Sequence, residues 1–481
     1  MRRLKTKTKI LYGLAGVGDS ALYNIMGTFA LFFLTTVAGV NPAVAGTITA
    51  IGSVWDTVCG AVMGYVSDNT ESRFGKRKPY LLAASVPLML FTSLFFFDLE
   101  ADAGFMTLYY GIIMILFWTS FSMFFVPYLA WGAELTTNYD ERTVLRGYVS
   151  FFNTAGAVLG LVVPNMLVDF ITKSGYSTEA AWQTTGILCG AISGGTILIG
   201  AIGIKGKSEY DERNGNINKS IDCRKKNLEA VMETVLGIIS NYIQILRLRS
   251  VRYILGASVF YLIGYTMFCS DRMYFFTYNI GLSGSMITAL MMLMTLIPVI
   301  FIPVISFLNR WIDKRTTYMA GMMICAAGFV IFGLIGSESI AGVCILSVVY
   351  CIGNGAYWQL MPAMIYDVCE VDQLINLKER SGMVISLQSL SEALSCAVGM
   401  QIMGLILSIS GFDGEASVQN ETALEWIGIS LSILPAIFMG LSAFCIFKYP
   451  VTKKMYNKVL TGLEKRKKGE DIDMDEFRKL K

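Results

Sequence analysis

Trp55-Asp56-Thr57-Val58-Cys59-Gly60-Ala61-Val62-Met63-Gly64-Tyr65-Val66-Ser67-Asp68, continuing into Asn69-Thr70-Glu71-Ser72-Arg73-Phe74-Gly75-Lys76-Arg77-Lys78-Pro79, sets a carboxylate inside an apolar run and a basic loop directly after it. The run, from about 43 to 66, is long enough to cross a hydrocarbon core of about 30 Å. An ionised Asp56 near its middle costs on the order of 3 kcal/mol unless partners, water or an ion offset it. An acid at that depth is a functional candidate by default, and the cluster Arg73, Lys76, Arg77 and Lys78 marks the cytoplasmic end of the run.

The rest of the chain repeats the pattern. Of 481 residues 54% are hydrophobic and 16% charged, with a mean hydropathy of +0.55, whereas a soluble domain is roughly one quarter charged. Twelve apolar runs follow one another, with cores at 10–37, 43–66, 79–98, 105–132, 147–169, 184–204, 253–280, 285–308, 317–336, 339–365, 383–410 and 425–447. They lack the alternation of barrel strands, so all read as helices, the form that satisfies its own backbone in lipid. The expected class is an all-α integral membrane protein of about twelve transmembrane helices.

Charge asymmetry orients the spans. Arg2, Arg3, Lys5, Lys7 and Lys9, the loop at 73–78, the long loop at 205–252 and the C-terminal tail carry most of the cations; the opposite loops read Asp98-Leu99-Glu100-Ala101-Asp102, Ser337-Glu338 and Asp413-Gly414-Glu415. The positive-inside rule places both termini in the cytoplasm, with the plasma membrane as the expected location. The net charge of +3 fits loops beside anionic lipid headgroups, and nothing else supports a nucleic-acid partner. Asp19 and the length of the first span argue for a retained helix and against a cleaved signal.

The polar loop divides the spans six and six, giving an expected N-terminal half at 1–204, a cytoplasmic loop at 205–252 whose part 228–246 has the spacing of an amphipathic helix, a C-terminal half at 253–447 and a cytoplasmic tail at 448–481. The tail is dense in both charges and reads as a solvated helix or as partly disordered. The loop at 67–78 has an echo in Asn309-Arg310-Trp311-Ile312-Asp313-Lys314-Arg315, as expected of two repeated halves with a working site near the bilayer midplane. The ten cysteines are scattered without ligand spacing, and histidine is absent, so proton chemistry falls to carboxylates. No phosphate-binding Gly-x-x-x-x-Gly-Lys-Ser/Thr loop occurs, which argues against ATP hydrolysis in this chain; no cofactor is expected.

Four blocks carry a resemblance: Tyr12-Gly13-Leu14 with Tyr23-Asn24 and Thr35; Trp55-Asp56 with Met63-Gly64 and the loop 72–79; Val126-Pro127-Tyr128 followed by Glu134-Leu135-Thr136-Thr137-Asn138-Tyr139-Asp140-Glu141-Arg142-Thr143; and Met364-Ile365-Tyr366-Asp367. In order and spacing the chain resembles the glycoside–pentoside–hexuronide:cation symporters of the major facilitator superfamily. The resemblance implies secondary transport of a sugar or glycoside by alternating access, driven by a Na⁺, Li⁺ or H⁺ gradient, in a protein that works as a monomer among membrane lipids. Cation coupling would then rest on Asp56, Thr57 and Ser122.

This sequence departs from the family pattern at named positions. The family's second carboxylate, one turn after the first and on the same helix face, is Gly60 here. Losing a charged ligand weakens a sodium site more than a proton site, so H⁺ is favoured over Na⁺. At the family's sugar positions in spans 4, 5 and 11 stand Phe125, Leu129, Val149 and Ala393. A polyol site remains expected from Asp19, Ser20, Tyr128, Trp358 and Glu392: carboxylates take paired hydroxyls and an aromatic face covers the C–H side of a ring. Either Asp19 or Ser20 holds the family's acidic position, and Glu392 either faces the cavity or meets Arg272 or another charge. Asp271 and Arg272 form an expected intramembrane charge pair.

Gating ion pairs between helix ends are expected from Asp68, Arg73, Lys76, Arg77, Asp140, Glu141 and Arg142, with Asp367 and Glu370 as counterparts in the second half. The same fold carrying a lipid or an organic acid, or working as an uncoupled facilitator, is the competing expectation. A membrane enzyme or sensor is remote, for the chain shows neither a catalytic constellation nor a sizeable soluble module.

Overall fold

The computed structural model describes residues 4–480 except 69, 71, 73, 100, 136–138, 205–241, 336–338, 377–379, 415, 417 and 468–473. Arg73, the side chains of Asp140 and Arg142, and most of the expected amphipathic helix at 228–246 lie outside the described residues. The helices are α1 (Thr6–Phe32), α2 (Pro42–Asp68), α3 (Lys78–Phe95), α4 (Ala103–Glu134), α5 (Tyr139–Leu161), α6 (Val163–Lys173), α7 (Thr178–Gly203), α8 (Arg249–Tyr274), α9 (Gly284–Trp311), α10 (Lys314–Ile335), α11 (Ile340–Asn376), α12 (Ser381–Ile409), α13 (Glu421–Leu431), α14 (Ile433–Lys448) and α15 (Lys453–Lys467). No strand occurs among the described residues.

Ten helical stretches among the described residues are long and apolar enough to cross a membrane. Two of the twelve expected runs, 43–66 and 285–308, are helical as α2 and α9 but fall outside those ten. In α2 the reason is its polar content, Ser53, Asp56 and Thr57 among glycines; the sequence of α9 stays apolar past Pro298, through Val299-Ile300-Phe301-Ile302-Pro303-Val304-Ile305.

α1 and α8 end alike. Each runs on into a five-residue π turn, Phe33–Val37 and Phe275–Asn279. The N–H of Ala38 donates to the Phe33 carbonyl at 2.9 Å and that of Val40 to Leu34 at 2.8 Å; Ile280 donates to Phe275 at 3.2 Å and Leu282 to Phe276 at 2.9 Å. Gly39 (φ 63°) and Gly281 (φ 67°) then reverse the chain in the left-handed conformation that glycine adopts without strain. The same terminus on the first span of each expected half is what duplicated halves produce.

The chain forms two compact units: Met1–Ile221 with Cys269–Thr295 and Met400–Ile427, and Asp222–Phe268 with Leu296–Gly399 and Gly428–Lys481. In the first, α1 packs on α5 and α7, α2 on α4, and α3 on α4 and α7. Small residues allow the approach: Gly156 of α5 lies against the backbone of Val17, and Gly200 of α7 against that of Leu11. At a second seam a Cβ on Gly404 would stand 2.6 Å from the Pro42 carbonyl and 2.8 Å from the Gly46 Cα, so α12 and the start of α2 touch backbone to backbone.

In the second unit α10 packs on α11 and α14, and α11 on α15. The C-terminal tail is helical over α15 but corrects the expectation that it is solvated. Val459, Phe477 and Leu480 are buried, in one cluster with Ile245, Leu248, Val251 and Leu374. Met455, Val459 and Leu463 recur at four-residue spacing and form an apolar stripe beneath the dense surface charge. Arg466 Nη1 anchors the stripe to the Leu374 carbonyl at 2.5 Å.

Candidate functional site

In the first unit, α2 and α4 bring Asp56 to Ser122. The fully buried Ser122 hydroxyl lies 2.6 Å from Asp56 Oδ1 and 3.0 Å from the Asp56 carbonyl, and serves both. One turn away the same pair of helices is pinned by Trp55 Nε1 donating to Thr119 Oγ1 at 2.9 Å. Thr57 is half-buried on α2. At Gly60 a Cβ would meet, among the described residues, only Val126 Cγ2, at 3.7 Å, an ordinary contact. The place of a second acid is therefore open, with an apolar neighbour. Among the described residues no group of three His, Cys, Asp or Glu side chains could hold a metal ion.

A second polar group lies between α1, α4 and α5. Asp19 is 9% exposed, and the charge acting on it is Arg146 of α5. Arg146, which sequence reasoning missed, lies three residues before Val149, on the same helix face as the position where an arginine was sought. Ser20 accepts from Asn24 Nδ2, at its carbonyl at 2.7 Å and at its hydroxyl at 3.2 Å. Tyr128 proves to be a staple: its hydroxyl donates to the Tyr12 carbonyl at 3.1 Å, Tyr12 returns a bond to the Tyr128 carbonyl at 2.8 Å, and the rings stack at 4.6 Å.

The second unit holds its own polar cluster. Trp358 is 49% exposed, its edge against Tyr357 at 5.3 Å and Tyr265 at 6.3 Å between ring centroids. Glu392 accepts from Gln388 Nε2 at 3.0 Å and from the Tyr357 hydroxyl at 3.4 Å. Ser258 and the Tyr261–Asn354 pair (3.1 Å) complete the cluster. Gln388, Ser258, Tyr261 and Asn354 were not read from the sequence. The signal for the first was present, since Gln388 and Glu392 lie four apart on one face of an apolar helix.

Helix ends beside the basic loops are tied by ion pairs. Arg77 binds Glu134 of α4 through Nε at 3.0 Å and Nη2 at 2.9 Å, Ser67 of α2 at 2.7 Å, and Asp68. Burial works against its charge, but the Asp68 and Glu134 carboxylates outweigh it and hold the guanidinium pKa above its ordinary value. Lys76 Nζ reaches the Asp68 carbonyl at 3.5 Å, and Lys9 pairs with Glu141 at 2.8 Å. In the second unit Lys314 grips both oxygens of Asp367 at 2.8 Å. Glu370 acts on Tyr456, whose hydroxyl is pushed up first by burial and then by that carboxylate, so it stays a donor. Arg380 with Asp372 (2.8 and 3.2 Å) is a further pair that the sequence did not single out.

Asp271 and Arg272 are both buried. Arg272 turns to neutral partners, Thr28 Oγ1 at 3.0 Å and Met294 Sδ at 3.8 Å, while Asp271 acts on Tyr274, whose hydroxyl lies 2.6 Å from Thr35 Oγ1.

Residues 11–453 match the model of a family described as MFS/sugar transport protein. An isoprimeverose transporter of Lactiplantibacillus pentosus is 23% identical, over 97% of this chain and 92% of that protein. A glucuronide carrier protein homolog of Escherichia coli (strain K12) is 24% identical over 97% of each. Among solved structures, a D-xylose–proton symporter superposes with a TM-score of 0.65 at 14% identity, over 93% of this chain and 98% of that one, a likeness of fold.

Proposed function

Because the chain belongs to the MFS/sugar transport protein family, the glycoside–pentoside–hexuronide:cation symporters of the major facilitator superfamily, we propose that it imports a sugar or glycoside in symport with a proton, by alternating access of two six-helix halves in the plasma membrane with both termini in the cytoplasm. It is a multi-pass membrane transporter and not an enzyme. The observation that carries the choice of ion is Asp56, whose carboxylate has the Ser122 hydroxyl as its one side-chain partner among the described residues, at 2.6 Å, with a glycine where a second acid would stand.

Symport requires that cation and substrate favour each other's binding, so that only the empty and the doubly loaded protein change face readily. Asp56 carries the cation in this reading, with Ser122 holding its carboxylate and Thr57 adjoining. Asp19 and Ser20 with Arg146 in one unit, and Trp358 with Glu392 in the other, supply contacts suited to hydroxyls and to the apolar face of a sugar ring. Arg77 with Asp68 and Glu134, and Lys314 with Asp367, act as cytoplasmic gating pairs.

The test is uptake by energised vesicles over a panel of sugars and glycosides, with and without sodium and across pH. A transported sugar that carries protons inward alkalinises a weakly buffered medium, with little change when sodium is added. Sodium-stimulated uptake without proton movement overturns the choice of ion, and no uptake across the panel overturns the cargo.

Gly60→Asp tests the same site from the other direction. A charge-assisted ligand contributes about 1.5–3 kcal/mol, and 1.4 kcal/mol is a factor of ten in affinity. The variant gains a sodium dependence, with an apparent affinity raised about tenfold or more. Sodium titration of uptake at fixed pH checks it.

A further inference from the structure

In the second unit three helices meet at a carboxylate that has only neutral partners. Gln388 Nε2 donates to Ser258 Oγ of α8 at 2.6 Å and to Glu392 Oε1 at 3.0 Å. The Tyr357 hydroxyl of α11 lies 2.6 Å from Ser258 Oγ and donates to Glu392 Oε1 at 3.4 Å. With the tyrosine hydrogen directed at the carboxylate, the Ser258 hydrogen is left to donate to the Tyr357 oxygen. Every hydrogen of the network then runs toward Glu392, the pattern that suits an ionised acceptor. Among the described residues the groups that act on Glu392 are Gln388 and Tyr357. Cys396 of α12 and Tyr318 of α10 act on Tyr357, and both are uncharged.

One atom of this network is unsatisfied. Gln388 is 5% exposed, and its Oε1 is buried without a partner among the described residues. Leaving such an acceptor unmade costs about 1–3 kcal/mol. A protonated carboxyl is the donor that this carbonyl lacks, and Glu392 lies one helical turn away.

We propose that Glu392 takes up and releases a proton during transport, as a titrating site additional to Asp56, and that Gln388 is its positioning residue. In the ionised state the amide N–H holds the carboxylate. When a proton from water adds to Glu392 Oε1, the amide turns over and its carbonyl, now where the N–H stood, accepts the new O–H. The turn replaces the amide hydrogen at Ser258 with an acceptor, to which the serine hydroxyl then donates, so a proton gained on α12 reverses the hydrogen bond between α12 and α8. This inference goes beyond the coupling reading at Asp56 and does not need the cargo to be a sugar.

The test is pH-difference infrared spectroscopy of the purified full-length protein in lipid vesicles, with no substrate and no sodium. The wild type shows carboxylic-acid C=O absorption growing as the pH falls. Glu392→Gln loses one carboxyl's share of that band, and Asp56→Asn keeps the share that Glu392→Gln loses. Gln388→Leu retains the Glu392 band, moved in frequency and titrating over a different pH range because its partner is gone. Identical wild-type and Glu392→Gln difference spectra overturn the proton site; a Gln388→Leu spectrum identical to wild type overturns the role of the amide. Since neither substrate nor sodium is present, these outcomes are independent of the uptake panel.

Discussion

Asp56→Asn abolishes accumulation of substrate against its gradient, while exchange of labelled for unlabelled substrate across the membrane continues. Asparagine keeps the size of aspartate and an oxygen acceptor for the Ser122 hydroxyl, now at 2.6 Å from Asp56 Oδ1, so the α2–α4 contact survives. What is lost is the capacity to bind and release a cation. The coupling free energy of an allosteric pair is typically about 1–3 kcal/mol; without it the loaded and unloaded carriers cross alike and the internal concentration stops at equality with the medium. Counterflow from preloaded vesicles separates this outcome from misfolding, because a misfolded carrier loses both activities. Concentrative uptake by Asp56→Asn at the wild-type level removes Asp56 from the coupling site.

Arg77→Ala is expected to destabilise the protein by about 3 kcal/mol and to impair transport, because it leaves a poorly solvated carboxylate without its cation. The two acids on Arg77 differ in consequence. Glu134 has a side chain 14% exposed, Asp68 one 63% exposed. Solvent screens the second, so Asp68→Asn costs less than about 1 kcal/mol. Adding Glu134→Gln to Arg77→Ala recovers part of the loss, since the orphaned charge is then gone. Thermal unfolding of the wild type, Arg77→Ala, Asp68→Asn, Glu134→Gln and the Arg77→Ala/Glu134→Gln double variant measures these losses and closes the cycle. Equal losses for Arg77→Ala and Asp68→Asn contradict the assignment of the cost to Glu134.

Glu392 shows how little of the site lay in single residues. Its place on an apolar helix was legible, as was that of Asp19, because a charge among apolar neighbours stands out in one dimension. Its environment was not legible. Ser258 and Tyr357 lie 130 and 31 residues from Gln388, and their meeting depends on which faces of α8, α11 and α12 turn toward one another. Tyr128 makes the same point in the other sense. In the sequence it belongs to a block that carries the resemblance and invites a substrate role, whereas its reciprocal bonds to Tyr12, 116 residues away, join α1 and α4.

Hydropathy and charge are local quantities, so the sequence by itself determined the all-α class, the apolar runs, their expected orientation and the acid at position 56. Lipid forces each run to satisfy its backbone within itself, which makes the secondary structure nearly independent of distant residues. Tertiary structure alone decided the partners. Ser122 reaches Asp56 across 66 residues, Arg146 takes up a position beside Asp19 one turn from where an arginine was sought, and the charged tail buries Phe477 and Leu480 instead of dissolving. Between helices there is no hydrophobic drive in lipid to announce a contact in the sequence, and close packing, small residues and single hydrogen bonds choose the faces that meet.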